Sequence, residues 1–248
     1  MQAQVHREVT VAGAAVTLLV GIQVLFVGDS ITAGTGADPG QGFVDLMASA
    51  NPDRSVHNAG CGGSTTRDWV LPKLPGAPEH CAFGGAFEQL AAPHVDADLV
   101  HILLGTNDST GFFEPGSVGP DEYASNIEAL AVRFTGDVVV SIPTPFPDPD
   151  DIVQSRLDLF ALELISLSES ADAPFRLGAD FSRMDRAMLD GVHPTNEGHA
   201  WMAAQLSSVL VPEPASAMLL LMGLLALSAR RPRARAMRGG LTASARGA

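Results

Sequence analysis

The chain has 248 residues, of which 46% are hydrophobic and 17% charged, with a formal net charge of −13. So apolar a chain can bury a core, which excludes a disordered polymer despite 25 Gly and 17 Pro. The acidic balance argues against sheathing nucleic acid, which needs a basic face.

The net charge hides an asymmetry. Residues 1–211 carry nine Lys and Arg against 27 Asp and Glu, a balance of −18, while six arginines lie beyond position 229. An acidic body followed by a basic tail suggests separate tasks. The chain divides into three regions: residues 1–21, a body over 22–211, and a tail over 212–248.

From the N-terminus, Val9–Gly28 is uncharged. Val24–Val27 is needed as a strand, so Val9–Val20 is either the apolar part of a degenerate signal peptide or an extra strand or hairpin. The leader MQAQVHRE has one Arg opposed by one Glu, a weak basic start for a signal.

The body alternates short apolar runs with helical patterns. Strands are predicted at Val24–Val27, Ser55–Asn58, Leu99–Leu104, Val138–Ser141 and Phe175–Leu177. Their continuous apolar character indicates strands buried on both faces, hence a parallel sheet between helical layers. Helices are predicted around Phe43–Ala50, stopped by Asn51-Pro52, around Tyr123–Phe134, over Ile152–Leu167, and after Thr195 as the cap of a last helix. Such alternation predicts a doubly wound α/β domain of five parallel strands, in which ligands bind beyond the carboxyl ends of the strands.

The residues beyond those ends are chemically distinctive. Gly28-Asp29-Ser30 comes after the first strand, Asn58-Ala59-Gly60-Cys61-Gly62-Gly63 after the second, and Gly105-Thr106-Asn107-Asp108 after the third; Asp190-Gly191-Val192-His193 comes late in the chain. Nucleophilic acyl transfer needs a hydroxyl, a base, a group to orient the base, and donors for the oxyanion. Ser30 is the candidate nucleophile and His193 the base. Asp190, three residues earlier, is placed to bind Nδ1. Asn107 and the N–H groups of Ser30 and Gly60 are candidate oxyanion donors. Asp29 is read as shaping the nucleophile turn, and Asp108 as structural. Taken singly, Ser30 could be a helix cap, Asn107 a turn residue, and His193-Pro194 an ordinary loop.

These four blocks, in this order, resemble the SGNH hydrolases, also called GDSL esterases or lipases. The resemblance spans residues 22–210 and implies a three-layer, flavodoxin-like fold and a carboxylester hydrolase that works through an acyl-enzyme without a cofactor. No Gly-x-Ser-x-Gly elbow is present, which disfavours the other common serine esterase architecture. No Walker pattern and no metal-ligand spacing among the histidines is found, so neither nucleotide nor metal is expected.

The substrate expected is a small acyl ester, with acetyl groups on a polysaccharide as the candidate. Loops 71–86, 109–120 and 143–149 should frame the pocket. Phe112, Phe113 and Phe146 are candidates for acyl contact, and Trp69 for stacking on a sugar, each with core packing as the alternative. An acyltransferase on the same triad and a non-catalytic surface or matrix protein are the competing classes. Cys61 and Cys81 are either bridged or two buried thiols.

At the other end, Pro212-Glu213-Pro214 precedes the uncharged run 215–229, and Arg230-Arg231-Pro232-Arg233 comes after it. This order is similar to a PEP-CTERM sorting tail. The resemblance implies export, transient membrane anchoring through 215–229, and processing by an exosortase-type partner. The apolar run could alternatively be a buried terminal helix, although it has no polar face.

Overall fold

The computed structural model describes residues 5–11, 14–110, 118–145, 151–184 and 188–210. Two strands, β1 (Val5–Val11) and β2 (Ala14–Val20), form an antiparallel hairpin with Val5 opposite Val20 and Val11 opposite Ala14. This is the segment for which a signal peptide or extra strands are the sequence expectations.

The body is built on five parallel strands: β3 (Gln23–Gly28), β4 (Ser55–Gly60), β5 (Leu99–Leu103), β6 (Asp137–Ile142) and β7 (Arg176–Asp180). Their spatial order is β4-β3-β5-β6-β7. The apolar runs are continuous because both faces of the sheet are covered. Along β3, Leu25 and Val27 enter one core, while Val24 and Phe26 enter the other. All five residues of β5, the central strand, are buried.

Helices α1 (Phe43–Ala50) and α6 (Asn196–Leu210) supply Phe43, Met47, Met202 and Leu206 to one core. Helices α4 (Pro120–Ala131) and α5 (Asp151–Ser168) supply Tyr123, Ile127, Leu130, Phe160 and Leu164 to the other. These are the four helices expected, and the three-layer α/β fold is the one expected. Local chemistry sets their ends. Pro120 opens α4 with Asp121 and Glu122 in the first turn, where the helix dipole favours acids. Thr195 precedes α6 and its Oγ1 accepts the Gly198 N–H at 3.5 Å.

Two short helices, α2 (Thr66–Val70) and α3 (Thr106–Thr110), were not expected. Each is a single turn, too short to show an apolar period. They come after β4 and β5 and carry part of the site.

The chain runs from β3 to β4 on one side and then returns past β3 to β5. The loops after β3 and β5 therefore diverge, which opens a crevice at their carboxyl ends.

Candidate active site

Gly28 ends β3 where space is shortest. A Cβ there would lie 2.0 Å from Thr32 Oγ1 and 2.6 Å from the Leu103 carbonyl oxygen. The chain then turns sharply. Asp29 Oδ1 accepts the Ile31 N–H at 2.9 Å, and the Asp29 and Ser30 carbonyls accept the N–H groups of Ala33 and Thr35. This turn lifts Ser30 onto the rim, half-buried, and leads into further turns; α1 begins only at Phe43. Ser30 is thus not the cap of a helix.

Residues 190–193 form a compact loop opposite. One Asp190 oxygen accepts the N–H groups of Val192 (3.0 Å) and His193 (2.8 Å). The other lies 2.7 Å from His193 Nδ1, and His193 Nε2 lies 2.8 Å from Ser30 Oγ. A carboxylate only accepts, so Nδ1 carries the hydrogen and Nε2 receives the Ser30 hydroxyl. Burial, the largest single influence, acts to raise the Asp190 carboxyl. The hydrogen bonds from the His193 ring and from the two N–H groups prevail and hold it at about 2.

Across the crevice, Asn107 in α3 is buried and its Nδ2 donates one hydrogen to the Ser64 carbonyl at 2.9 Å. Its neighbour Asp108 accepts the Thr66 N–H at 2.9 Å and the Thr66 hydroxyl at 2.5 Å. Asn126 of α4 donates to the same hydroxyl, and Arg67 of α2 pairs with Glu122 of α4. The loop after β4 and the helix after β5 are thus tied together. Nothing in the sequence marks the tying residues Ser64, Thr66 and Asn126 for this, because a Thr-Thr pair after Gly-Gly carries no motif.

Gly60 departs from expectation. Its N–H donates to Asn58 Oδ1 at 2.9 Å and is therefore engaged. A Cβ at Gly60 would lie 2.2 Å from the Ala33 nitrogen, so this glycine lets the turn that carries Ser30 press against β4. Asn58 spans the same junction, donating from Nδ2 to the Thr32 carbonyl at 2.9 Å. Three residues on, Gly63 has φ +78° and directly precedes Ser64. Among the described residues the N–H groups of Ser30 and Gly63 have no hydrogen-bond partner.

Trp69 is fully buried and donates its indole N–H to Ser64 Oγ at 3.1 Å, which corrects the idea that it stacks on a sugar. Phe112, Phe113 and Phe146 lie outside the described residues. Cys61 and Cys81 form a disulfide across a separation of 20 residues. Cys61, His80 and Cys81 are the one group with metal-like spacing among the described residues, and the bridge leaves its sulfurs without thiolates.

Beneath the rim lie two carboxyls. Burial pushes Asp29 up to about 7, helped by the charge of Asp108 and opposed by the Ile31 N–H. Burial likewise pushes Asp108 up to about 6, against the Thr66 hydrogen bonds that lower it. His101, mid-strand in β5, is buried against Phe26 and Phe43. Its Nε2 meets Ser141 Oγ at 2.8 Å, Nδ1 has no partner among the described residues, and burial lowers its pKa to about 3.

A family model described as the GDSL-like lipase/acylhydrolase family matches residues 26–201. The chain belongs to that family and is a carboxylesterase-type enzyme. Solved structures share the fold. A catalytic variant of Axe2, an acetylxylan esterase from Geobacillus stearothermophilus, aligns at 21% identity with TM-score 0.58, covering 78% of this chain and 95% of that one. LAE5, an alpha/beta hydrolase enzyme from the metagenome of Lake Arreo, aligns at 21% identity with TM-score 0.57, covering 76% and 94%. A member of the lipolytic G-D-S-L family from Veillonella parvula aligns at 18% identity with TM-score 0.57, covering 74% and 94%. No curated protein matches significantly.

Proposed function

We propose that Ser30, His193 and Asp190 are the catalytic triad of a hydrolase for small acyl esters, acetyl groups on a polysaccharide among them. The observation that carries this reading is the unbroken chain Ser30 Oγ to His193 Nε2 (2.8 Å) and His193 Nδ1 to Asp190 (2.7 Å). The Ser30 oxygen attacks the ester carbonyl carbon as its proton passes to Nε2. The oxyanion forms against the Ser30 N–H, the Asn107 amide and the Gly63 N–H, the last in place of Gly60. Collapse returns the proton to the departing alcohol. Water, deprotonated by His193, then attacks the acyl-enzyme; carboxylic acid leaves and Ser30 is restored.

The acetylated-glycan substrate is supported by the acetylxylan esterase among the structural relatives. The tail 212–248 is read as a PEP-CTERM-type sorting signal that places the enzyme outside the cytoplasm, anchored transiently through 215–229 and processed by an exosortase-type enzyme. The tail lies outside the described residues, and among the described residues no helix is long and apolar enough to cross a membrane. The Cys61–Cys81 bridge suits an oxidising compartment.

The test compares the protein with Ser30→Ala on p-nitrophenyl acetate, butyrate and palmitate, and on acetylated xylan. Serine-dependent release of acetate from the glycan is expected. Turnover retained in folded Ser30→Ala overturns the nucleophile, and a strong preference for palmitate overturns the small-acyl reading.

A further inference from the structure

The segment between Ser30 and α1 is long, glycine-rich and without regular structure, yet it must hold the serine 2.8 Å from a histidine 163 residues away. Its restraint comes from the first turn of α6. His199 is buried in that turn, and its ring nitrogens reach one residue within the segment and the first residue of α1, where the segment ends. Nδ1 accepts the Phe43 N–H at 3.2 Å, and Nε2 donates to the Thr35 carbonyl at 3.1 Å. Burial foremost keeps the ring below its usual pKa, which favours the neutral form this pairing needs. Thr35 in turn donates its N–H to the Ser30 carbonyl at 2.9 Å, so the ring is one residue removed from the nucleophile.

A second arm lies at the surface. The Asp38 N–H donates to Asn196 Oδ1 at 2.8 Å, and Asn196 Nδ2 donates to Asp38 Oδ2 at 2.7 Å. Between the arms, Gly36 has φ +95°, and a Cβ there would lie 2.3 Å from the Pro194 carbonyl oxygen and 2.9 Å from His193 Cβ. The segment therefore presses directly on the backbone that carries the base.

Resting on the triad assignment above, we propose that His199 and the Asn196–Asp38 pair are positioning residues: a two-armed brace from α6 that sets the Ser30–His193 distance. Neither arm touches the reacting atoms. Loss of either arm lets Ser30 drift from Nε2, and misplacement on the scale of 1 Å costs up to about 100-fold in rate.

The exposed arm gives the cleaner test. Asn196→Asp sets two carboxylates against each other at the surface, and adding Asp38→Asn restores a reciprocal amide–carboxylate pair with the roles exchanged. With p-nitrophenyl acetate, kcat of Asn196→Asp should fall about tenfold with KM within about twofold, and the double variant should recover to within about twofold of wild type. Labelling of Ser30 by a fluorophosphonate should slow and recover in parallel, with Tm moving by only about 2 °C. His199→Phe keeps the ring but removes both hydrogen bonds, and should lose more in kcat and labelling than Asn196→Asp. Wild-type kcat in Asn196→Asp, a loss that Asp38→Asn does not restore, or wild-type kcat in folded His199→Phe each overturns the brace. Ser30→Ala is run alongside: activity retained there overturns the triad instead, so the two failures are distinguishable.

Discussion

The two halves of the crevice are built differently. The half with the proposed base is local and wet: Asp190 is bound by groups two and three residues away, and its side chain is 52% exposed. The proposed oxyanion half is remote and dry: Asn107 and Asp108 are buried and reach Ser64 and Thr66 across 42 or 43 residues. A local loop can be altered without disturbing the core. The proposed oxyanion half cannot, because Asn107 also holds two segments together.

Variants should separate these roles. The largest effect is Ser30→Ala, with kcat down by at least about 10⁴-fold and an unchanged circular dichroism spectrum. Asp190→Asn should come next, with kcat down about 10²–10⁴-fold and Tm nearly unchanged, since the lost bonds are solvent-exposed. Asn107→Ala should cost about 10²–10³-fold in kcat and also about 1–3 kcal/mol of stability by denaturant unfolding, because the buried Ser64 carbonyl loses its donor. Equal stability losses in the Asp190 and Asn107 variants would erase the contrast between the halves.

A smaller effect concerns the buried carboxyls. Asp29 at about 7 and Asp108 at about 6 bind protons more tightly in the folded than in the unfolded chain, whose reference value is 3.8. Their contribution is fully present below that reference and is lost as pH rises through about 6 to 7, so stability should decline over that interval. Asp29→Asn keeps an acceptor for Ile31 and removes one of the two charges. Its Tm should fall less between pH 5 and about 8 than that of wild type, by several degrees. Parallel Tm profiles would show that Asp29 does not titrate there.

Legibility in the sequence divides along the same line. Val24–Val27 and Leu99–Leu104 announced a doubly covered parallel sheet, because burial on both faces leaves no polar alternation. Asp190 and His193 could be paired from a three-residue spacing, since a short loop constrains its own ends. Gly60 and Gly63 could not be told apart in Asn58-Ala59-Gly60-Cys61-Gly62-Gly63, because both are glycines beyond one strand. Only the packing of Ala33 against Gly60, and the bond to Asn58, separates a packing glycine from a proposed donor. Trp69 offered the same ambiguity, resolved by its burial and its bond to Ser64.

The sequence by itself determined the chain order of the five sheet strands and the four long helices, the layered fold and the four chemical blocks, since these depend on local apolar pattern and on residue type. The tertiary structure alone decided which N–H groups are spoken for, that Cys61 meets Cys81, and that His199 and Asn196 reach back to the segment after Ser30. Those facts are contacts between residues about 20 to 160 apart, and chain spacing carries no information about pairs at that range until the sheet has brought their loops to one rim.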